Sequence, residues 1–458
     1  MICDNTVFIV HCIDSEGPLY ESIGAKFERL KELFNIENIE PTQENMEKLK
    51  LGQIDLGGIE NKVQKILSGH LANYLETWDQ VDKMLDQCTS SSFRNNLLDS
   101  YGNGWIYNWF CLDYVNFEYN PRRRDIGYHN IFDHYQSYLK YNNNKQDGLG
   151  WHFHPMTTYR EAHRCATSFF RTPDIFQILT RKIIDRKWFP SAFRAGFMSE
   201  RPDSHWFLEQ WIPFDISNMS IDDNHESGTS IDLKDGRAGD WRSAPSDWSI
   251  YHPDHDNYQV EGNCRRWIAR ALLILNRVAS LDQREVDKAF QRVQKGLPTI
   301  MGIASHDYRD LTREVIAIRN MIETSSKRFP NVRFKYCEVN EAFLRATGEY
   351  NNPGLPLKLG ITYKPRSEND VPSIEIITKQ GKVFGPQPFL AIQTKSKSYI
   401  FDNFDFSPSQ DRWYYAFHGN TLPIEDVQQV GVAANDSAGN TEVKILDFSS
   451  GHTAFKEI

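Results

Sequence analysis

The chain opens with a continuous apolar run over residues 7–13 that ends in carboxylates. An unbroken run of this length fits a strand buried on both faces, as in a parallel sheet; strict alternation would mark a sheet with one wet face. A helical pattern follows over 22–34. Residues 36–100 are polar and mostly helical in period, with Val63, Ile66, Leu67, Leu71 and Leu75 on one stripe, and read as an insertion before the second strand. Further apolar runs predict strands over 105–115, ending at 149–154, near Phe193, and over 214–216, 299–305 and 333–336. Helical periodicity lies between several of them, at 173–186, 263–279, 283–293 and 310–327. Strands alternating with helices predict a parallel sheet with right-handed crossovers, and about seven such units predict a barrel.

The pattern changes after the turn-rich stretch 348–356, GEYNNPGLP. Leu357, Leu359, Ile361 and Tyr363 alternate with polar or small residues, as do Val430, Val432 and Ala434, and Val443 and Ile445 after the turn signal at 436–440. Period two with one apolar face predicts antiparallel β, and about 100 residues of it without a clear helix predict a sandwich. The expected architecture is α/β: a distorted (β/α)7 barrel over 1–350, with a helical insertion at about 36–100, and an Ig-like antiparallel β-sandwich over 351–458 in an accessory role.

Composition narrows the class. Of 458 residues, 40% are hydrophobic and 25% charged, which excludes collagen-like and disordered chains. No apolar run approaches the roughly 18 residues of a membrane span. With 52 basic and 61 acidic residues the net charge is −9, so neither nucleic acid nor an anionic membrane is the expected partner. The N-terminal segment has no basic region ahead of its apolar run, which reads as a chain without a signal peptide and predicts a cytoplasmic location. Seven scattered cysteines (Cys3, Cys12, Cys88, Cys111, Cys165, Cys264 and Cys337), never spaced CxxC, predict reduced thiols and no zinc knuckle.

Four segments carry candidate chemistry, each at the C-terminal end of a predicted strand, where α/β barrels build their sites. In Asp14-Ser15-Glu16 two carboxylates at i and i+2 share one side of an extended chain, and their burial calls for a metal or a proton-transfer role. In His152-Phe153-His154-Pro155 two imidazoles share one face, close enough to bind one ion, while Trp151 and Phe153 face away and pack. Arg194 in Phe-Arg-Ala-Gly ends a strand and can orient a carboxylate through a bidentate contact. His306 closes the run 299–305 with Asp307 beside it, a carboxylate able to fix the imidazole tautomer, which suits a general acid. Asp113, at the end of the second strand, can reach the same rim and contact substrate. The loop 239–258 can line a sugar groove with Trp241, Trp248 and Tyr251. His11, inside the first strand, reads as a core histidine.

Taken in order, these segments resemble the motifs of the NodB-homology polysaccharide deacetylases over residues 5–345, and more narrowly the WbmS-like branch found with bacterial surface-polysaccharide biosynthesis. The resemblance implies a metal-dependent hydrolase that removes an N-acetyl group from a sugar or glycan intermediate. By position it implies that Asp14 is the catalytic base, that Glu16, His152 and His154 hold the metal, that Arg194 orients the base, and that His306 is the acid. The common family pattern has adjacent aspartates and histidines four apart. The D-x-E and HxHP spacings here go together in divergent branches. Nitrogen and oxygen donors without thiolate suit one divalent ion, zinc foremost, with cobalt, nickel or manganese as alternatives. Two other readings stay open: a degenerate carbohydrate-binding protein on the same fold, and a glycoside hydrolase using Asp14 and Asp113 as its carboxylate pair.

Overall fold

A computed structural model describes residues 5–67, 73–120, 127–155, 169, 174–222, 239–275, 280–368, 370–409, 411–449 and 456–457. Eight parallel strands build the first part of the chain: β1 Thr6–Ser15, β2 Tyr107–Asp113, β3 Gly148–Phe153, β4 Ala192–Ala195, β5 Phe214–Asn218, β6 Trp267–Leu273, β7 Ile300–His306 and β8 Arg333–Tyr336. The first seven close into a ring, because β1 pairs with β7 on one edge and with β2 on the other. β1 divides its second edge: Thr6–Ile9 pair with β8 and His11–Ser15 pair with β2. Every residue of β1 is buried, as the unbroken apolar run requires.

The distorted seven-strand barrel expected from the sequence is therefore present, but one of its staves is not where the pattern placed it. Residues 263–279 read as a helix, whereas Trp267–Leu273 form β6; Ala279 lies outside the described residues. The strand predicted at 333–336 is β8, outside the ring. β6 is rich in the helix formers Ala269, Ala271, Leu272 and Leu273, and Arg266 and Arg270 stand one helical turn apart. Tertiary context overrides that preference. Both arginines are fully buried, Arg266 2.9 Å from Glu200 and Arg270 2.7 Å from Glu285, so the apparent polar stripe is internal. A Cβ on Gly302 of β7 would stand 2.3 Å from the carbonyl oxygen of Arg270, so glycine is what lets β7 lie against β6.

The stretch between β1 and β2 is helical. Ile23–Phe34, Gln43–Lys50 and Glu60–Leu67 enclose a small core of Phe27, Leu30, Met46, Leu49, Val63 and Leu67. Trp78–Thr89 and Ser91–Asn95 then lead to β2. The five cysteines in the described residues (Cys12, Cys88, Cys111, Cys264 and Cys337) are free thiols. Among the described residues no helix is long and apolar enough to cross a membrane.

The C-terminal part is two antiparallel sheets. One has the order β13 (Asp405–Phe406), β14 (Arg412–Ala416), β10 (Ser373–Gln380), β9 (Lys358–Lys364). The other has the order β12 (Tyr399–Asp402), β11 (Phe389–Thr394), β15 (Val427–Asn435), β16 (Thr441–Asp447), β17 (Lys456–Glu457). Ile374, Ile376 and Trp413 of the first sheet share a core with Leu390, Ile392, Val430, Val432 and Leu446 of the second. In the middle of the second sheet, β11 and most of β15 are buried on both faces, contrary to the single wet face the alternation predicts. Phe389, Ala391, Ala433 and Ile445 point away from the sandwich core and pack on the helix Asp174–Arg186 through Ile178, Leu179 and Ile183, with Trp211 and Phe189. Phe389 is fully buried, its ring 4.6 Å from Phe401 and 5.2 Å from Trp211. Phe389→Ala is expected to lower stability by about 3–5 kcal/mol, read from urea unfolding. A loss below about 1 kcal/mol would show that this junction contributes little.

Candidate metal centre

Barrel strands point alternate side chains inward, and the register fixes which inward positions meet at the C-terminal rim. Asp14 of β1 lies beside His306 of β7, and His152 of β3 lies beside Arg194 of β4. Glu16 and His154 follow their strand ends by one residue and keep the i+2 side. Trp151 and Phe153 take the opposite face and pack with Phe169, Phe193 and Phe207.

Glu16, His152 and His154 converge, all buried, with one donor atom of each within 4.8 Å of the others. His152 Nε2 and His154 Nε2 are 2.9 Å apart, and Glu16 Oε1 is 3.4 Å from His154 Nε2 and 3.7 Å from His152 Nε2. Ligands about 2.1 Å from one tetrahedral ion stand about 3.4 Å apart, so the trio has the spacing of a shared cation site. Its donor set, two imidazoles and a carboxylate, also fits. His152 Nδ1 lies 2.9 Å from the carbonyl oxygen of Arg194. A carbonyl only accepts, so Nδ1 carries the hydrogen and Nε2 keeps its lone pair for a metal. A Cβ at Gly196 would stand 2.1 Å from His154 Cδ2, so only glycine in Phe-Arg-Ala-Gly leaves room for this imidazole.

Asp14 adjoins the trio without belonging to it. Arg194 Nε donates to Asp14 Oδ1 at 2.5 Å, while its other nitrogens contact the Ile216 carbonyl and Met198 Sδ. The contact is thus single, not the bidentate one expected. Burial alone would raise the Asp14 carboxyl; the charge and hydrogen bond of Arg194, with His152 and His306 nearby, outweigh it and hold the group below its ordinary value. His306 Nε2 is 3.8 Å from Asp14 Oδ2. Burial pushes this imidazole well down, with Asp14 opposing and Arg309 reinforcing, so it rests neutral.

Asp307 does not face His306 as its position implied, and His306 Nδ1 is buried without a hydrogen-bond partner. The Asp307 carboxylate instead accepts from the backbone N–H groups of Glu16 and Gly17, both at 2.9 Å, and from the Tyr135 hydroxyl at 2.7 Å. Burial pushes Asp307 up to about 7 against the pull of those donors. This group clamps the turn that presents Glu16. Tyr135 sits in the helix Asn130–Tyr141 and carries no spacing signal in the sequence. Asp307→Ala is expected to weaken metal binding by about 10–100-fold, as loss of an outer partner of a ligand does, measured by competition with a chelating dye. Wild-type affinity in a folded variant would show that the clamp does nothing for the metal.

The three residues expected to contact substrate are packed inside. Asp113 is fully buried, ion-paired with Lys182 at 3.0 Å and accepting from Trp151 Nε1 at 2.7 Å. Burial pushes its carboxyl up to about 6, against Lys182, and its backbone carbonyl accepts from His154 N–H at 3.0 Å. A carboxylate so engaged cannot act as half of a glycosidase pair. Trp248 is fully buried, donates to the Glu285 carbonyl and lies 4.4 Å from the Arg270 guanidinium. Trp241 is buried and donates to the Met198 carbonyl at 2.8 Å. Neither indole offers a face for a sugar, and Tyr251 is likewise buried. Trp241 instead braces a strained turn. Phe197 and Met198 both have φ of 53°, a costly left-handed pair, which Gly239 N–H and Trp241 pin at their carbonyls. The pinned turn sets Phe197 against His154, ring centres 4.5 Å apart.

His11 is the core histidine expected, held between Ser305 Oγ at 2.9 Å and Trp105 Nε1 at 3.0 Å, with burial pushing it down to about 3. No family model, no curated protein and no solved structure matches this chain.

Proposed function

We propose that the chain is a metal-dependent amide hydrolase that removes an acetyl group from the nitrogen of a sugar or glycan intermediate. The observation that carries this reading is the adjacency, at one barrel rim, of a Glu16–His152–His154 donor trio and a carboxylate, Asp14, that is kept ionised but outside the trio. A divalent ion such as zinc, when bound, supplies Lewis acidity that polarises a carbonyl and acidifies water. The chain's own residues supply the rest. Asp14, ionised and fixed by Arg194, takes the proton released as water adds to the amide carbon. His306, neutral and 3.8 Å from Asp14 Oδ2, relays that same proton from Asp14 to the departing nitrogen, taking it on one ring nitrogen as it gives one from the other, so the C–N bond breaks to a neutral amine and Asp14 is ionised again. The near-complete burial of these groups strengthens every electrostatic contact among them. The resemblance of the four motifs to those of polysaccharide deacetylases selects an acetylated amino sugar over other amides. Residues 351–458 are assigned an accessory role, bracing the barrel through the helix Asp174–Arg186.

Amine release from a panel of N-acetylated monosaccharides and oligosaccharides tests the proposal. Expected is release by the metal-loaded protein that stops with chelator and returns with zinc or cobalt. Full metal occupancy with no release from any member would favour the degenerate carbohydrate-binding reading.

A further inference from the structure

At the same rim one guanidinium stands without a counter-charge. Arg309 ends the turn that leaves β7, its N–H donating to the His306 carbonyl at 3.3 Å, and it is 7% exposed. The other buried cations among the described residues each meet a carboxylate: Arg94 with Asp147, Lys182 with Asp113, Arg194 with Asp14, Arg266 with Glu200, and Arg270 with Glu285. Arg309 does not. Among the described residues its guanidinium makes no hydrogen bond and no ion pair, its Nε is buried without a partner, and the Tyr308 ring lies 5.5 Å away. The carboxylates closest to it in sequence are committed elsewhere: Asp307 to the Glu16–Gly17 turn, and Asp310 to Thr312 N–H and Oγ1 at the start of the helix Leu311–Arg328.

Arginine cannot relieve this by losing its proton, and burying an unpaired charge is costly, so a missing anion is the economical completion of the site. The guanidinium is also near the chemistry. Its charge is felt at His306, and the His306 ring lies 4.8 Å from the Tyr308 ring that Arg309 faces.

We infer that Arg309 docks an oxyanion carried by the substrate, a carboxylate or a phosphate ester on the sugar whose amide is cleaved. The inference rests on the hydrolase reading above and narrows it to anionic amino sugars. A planar fork of N–H donors suits either oxyanion through paired hydrogen bonds.

Calorimetric titration of the full chain with inorganic phosphate and, separately, with acetate tests this without relying on turnover. Expected is binding of at least one anion by the wild type, weakened tenfold or more in Arg309→Gln and by a smaller factor in Arg309→Lys, which keeps the charge and loses the fork. The anion held more tightly distinguishes a phosphate ester from a carboxylate. Anion binding equal in all three proteins, or none in the wild type, overturns the inference; should Arg309→Gln fail to fold, unchanged binding by Arg309→Lys overturns it as well. A second arm compares kcat/KM for an N-acetylhexosamine, its 1-phosphate and an N-acetylated uronic acid. The wild type should favour a charged substrate at least tenfold, and Arg309→Gln should erase the preference by raising KM. Equal use of all three overturns the inference while leaving the hydrolase intact. Arg309-dependent anion binding with no hydrolysis of any substrate supports the anion site and removes the hydrolase.

Discussion

His152→Ala is expected to deprive the protein of its divalent ion. The side chain supplies one of three donor atoms, and it is the donor whose tautomer the Arg194 carbonyl fixes. Zinc sites in proteins carry about 10–16 kcal/mol of apparent binding free energy at neutral pH. Losing one donor of three removes a share of about 3–5 kcal/mol, which is a 10²–10⁴-fold fall in affinity. Metal content measured after dialysis against a weak chelator should fall from one equivalent to near zero. Hydrolytic activity should fall with it and return only at high added metal. Circular dichroism separates this from unfolding, since β3 keeps its own Trp151 and Phe153 packed against Phe169, Phe193 and Phe207. One tightly held ion in the variant would mean that the imidazole pair is a structural hydrogen bond.

Asp14→Asn should give the opposite division: metal kept, turnover lost. Asp14 stands outside the donor trio, so occupancy should match the wild type. Removing a positioned base costs about 10²–10⁴-fold in kcat. The substitution also leaves Arg194, fully buried, without its counter-charge. Breaking a buried pair from one side costs about 3–5 kcal/mol, so the melting temperature should fall too. The sign with pH follows from the direction of the shift. The folded carboxyl is held below its ordinary value of 3.8, so the stability it contributes is fully present above that value and is lost as pH falls through the lower folded one. The gap between the wild type and Asp14→Asn should therefore begin to narrow as pH falls below about 4 and close only below the lowered folded value. A gap that persists unchanged in acid would contradict the Asp14–Arg194 pairing.

Much of the rim was legible because its spacing is short-range. Two carboxylates or two imidazoles at i and i+2 on a strand must share a face, whatever the strand pairs with. The strand ends themselves were marked by carboxylates and by Pro155. Features that depend on partners distant in sequence were not legible. β6 carries helix-forming residues and a helix-like arginine spacing, and only the acids of other segments, Glu200 and Glu285, make those arginines internal. Asp307 was visible as a residue but not in its direction: one position beyond an inward histidine, it turns to the backbone of the Glu16 turn. Trp241 and Trp248 sit in an aromatic loop, and composition alone cannot tell an exposed stacking platform from an indole that pins a strained turn or caps a buried arginine. The second face of β11 was hidden because the helix that covers it lies some 200 positions upstream.

The hydrolase reading depends on Glu16, His152 and His154 holding one divalent ion. Anomalous diffraction from crystals of the metal-loaded protein, collected on both sides of the metal absorption edge, reads this out without recourse to turnover. A single peak is expected about 2.0–2.2 Å from Glu16 Oε1 and from Nε2 of both histidines, with Asp14 and His306 next to it but not bound. A peak elsewhere on the chain, or two imidazoles bonded to each other with no peak between them and Glu16, would remove the metal centre.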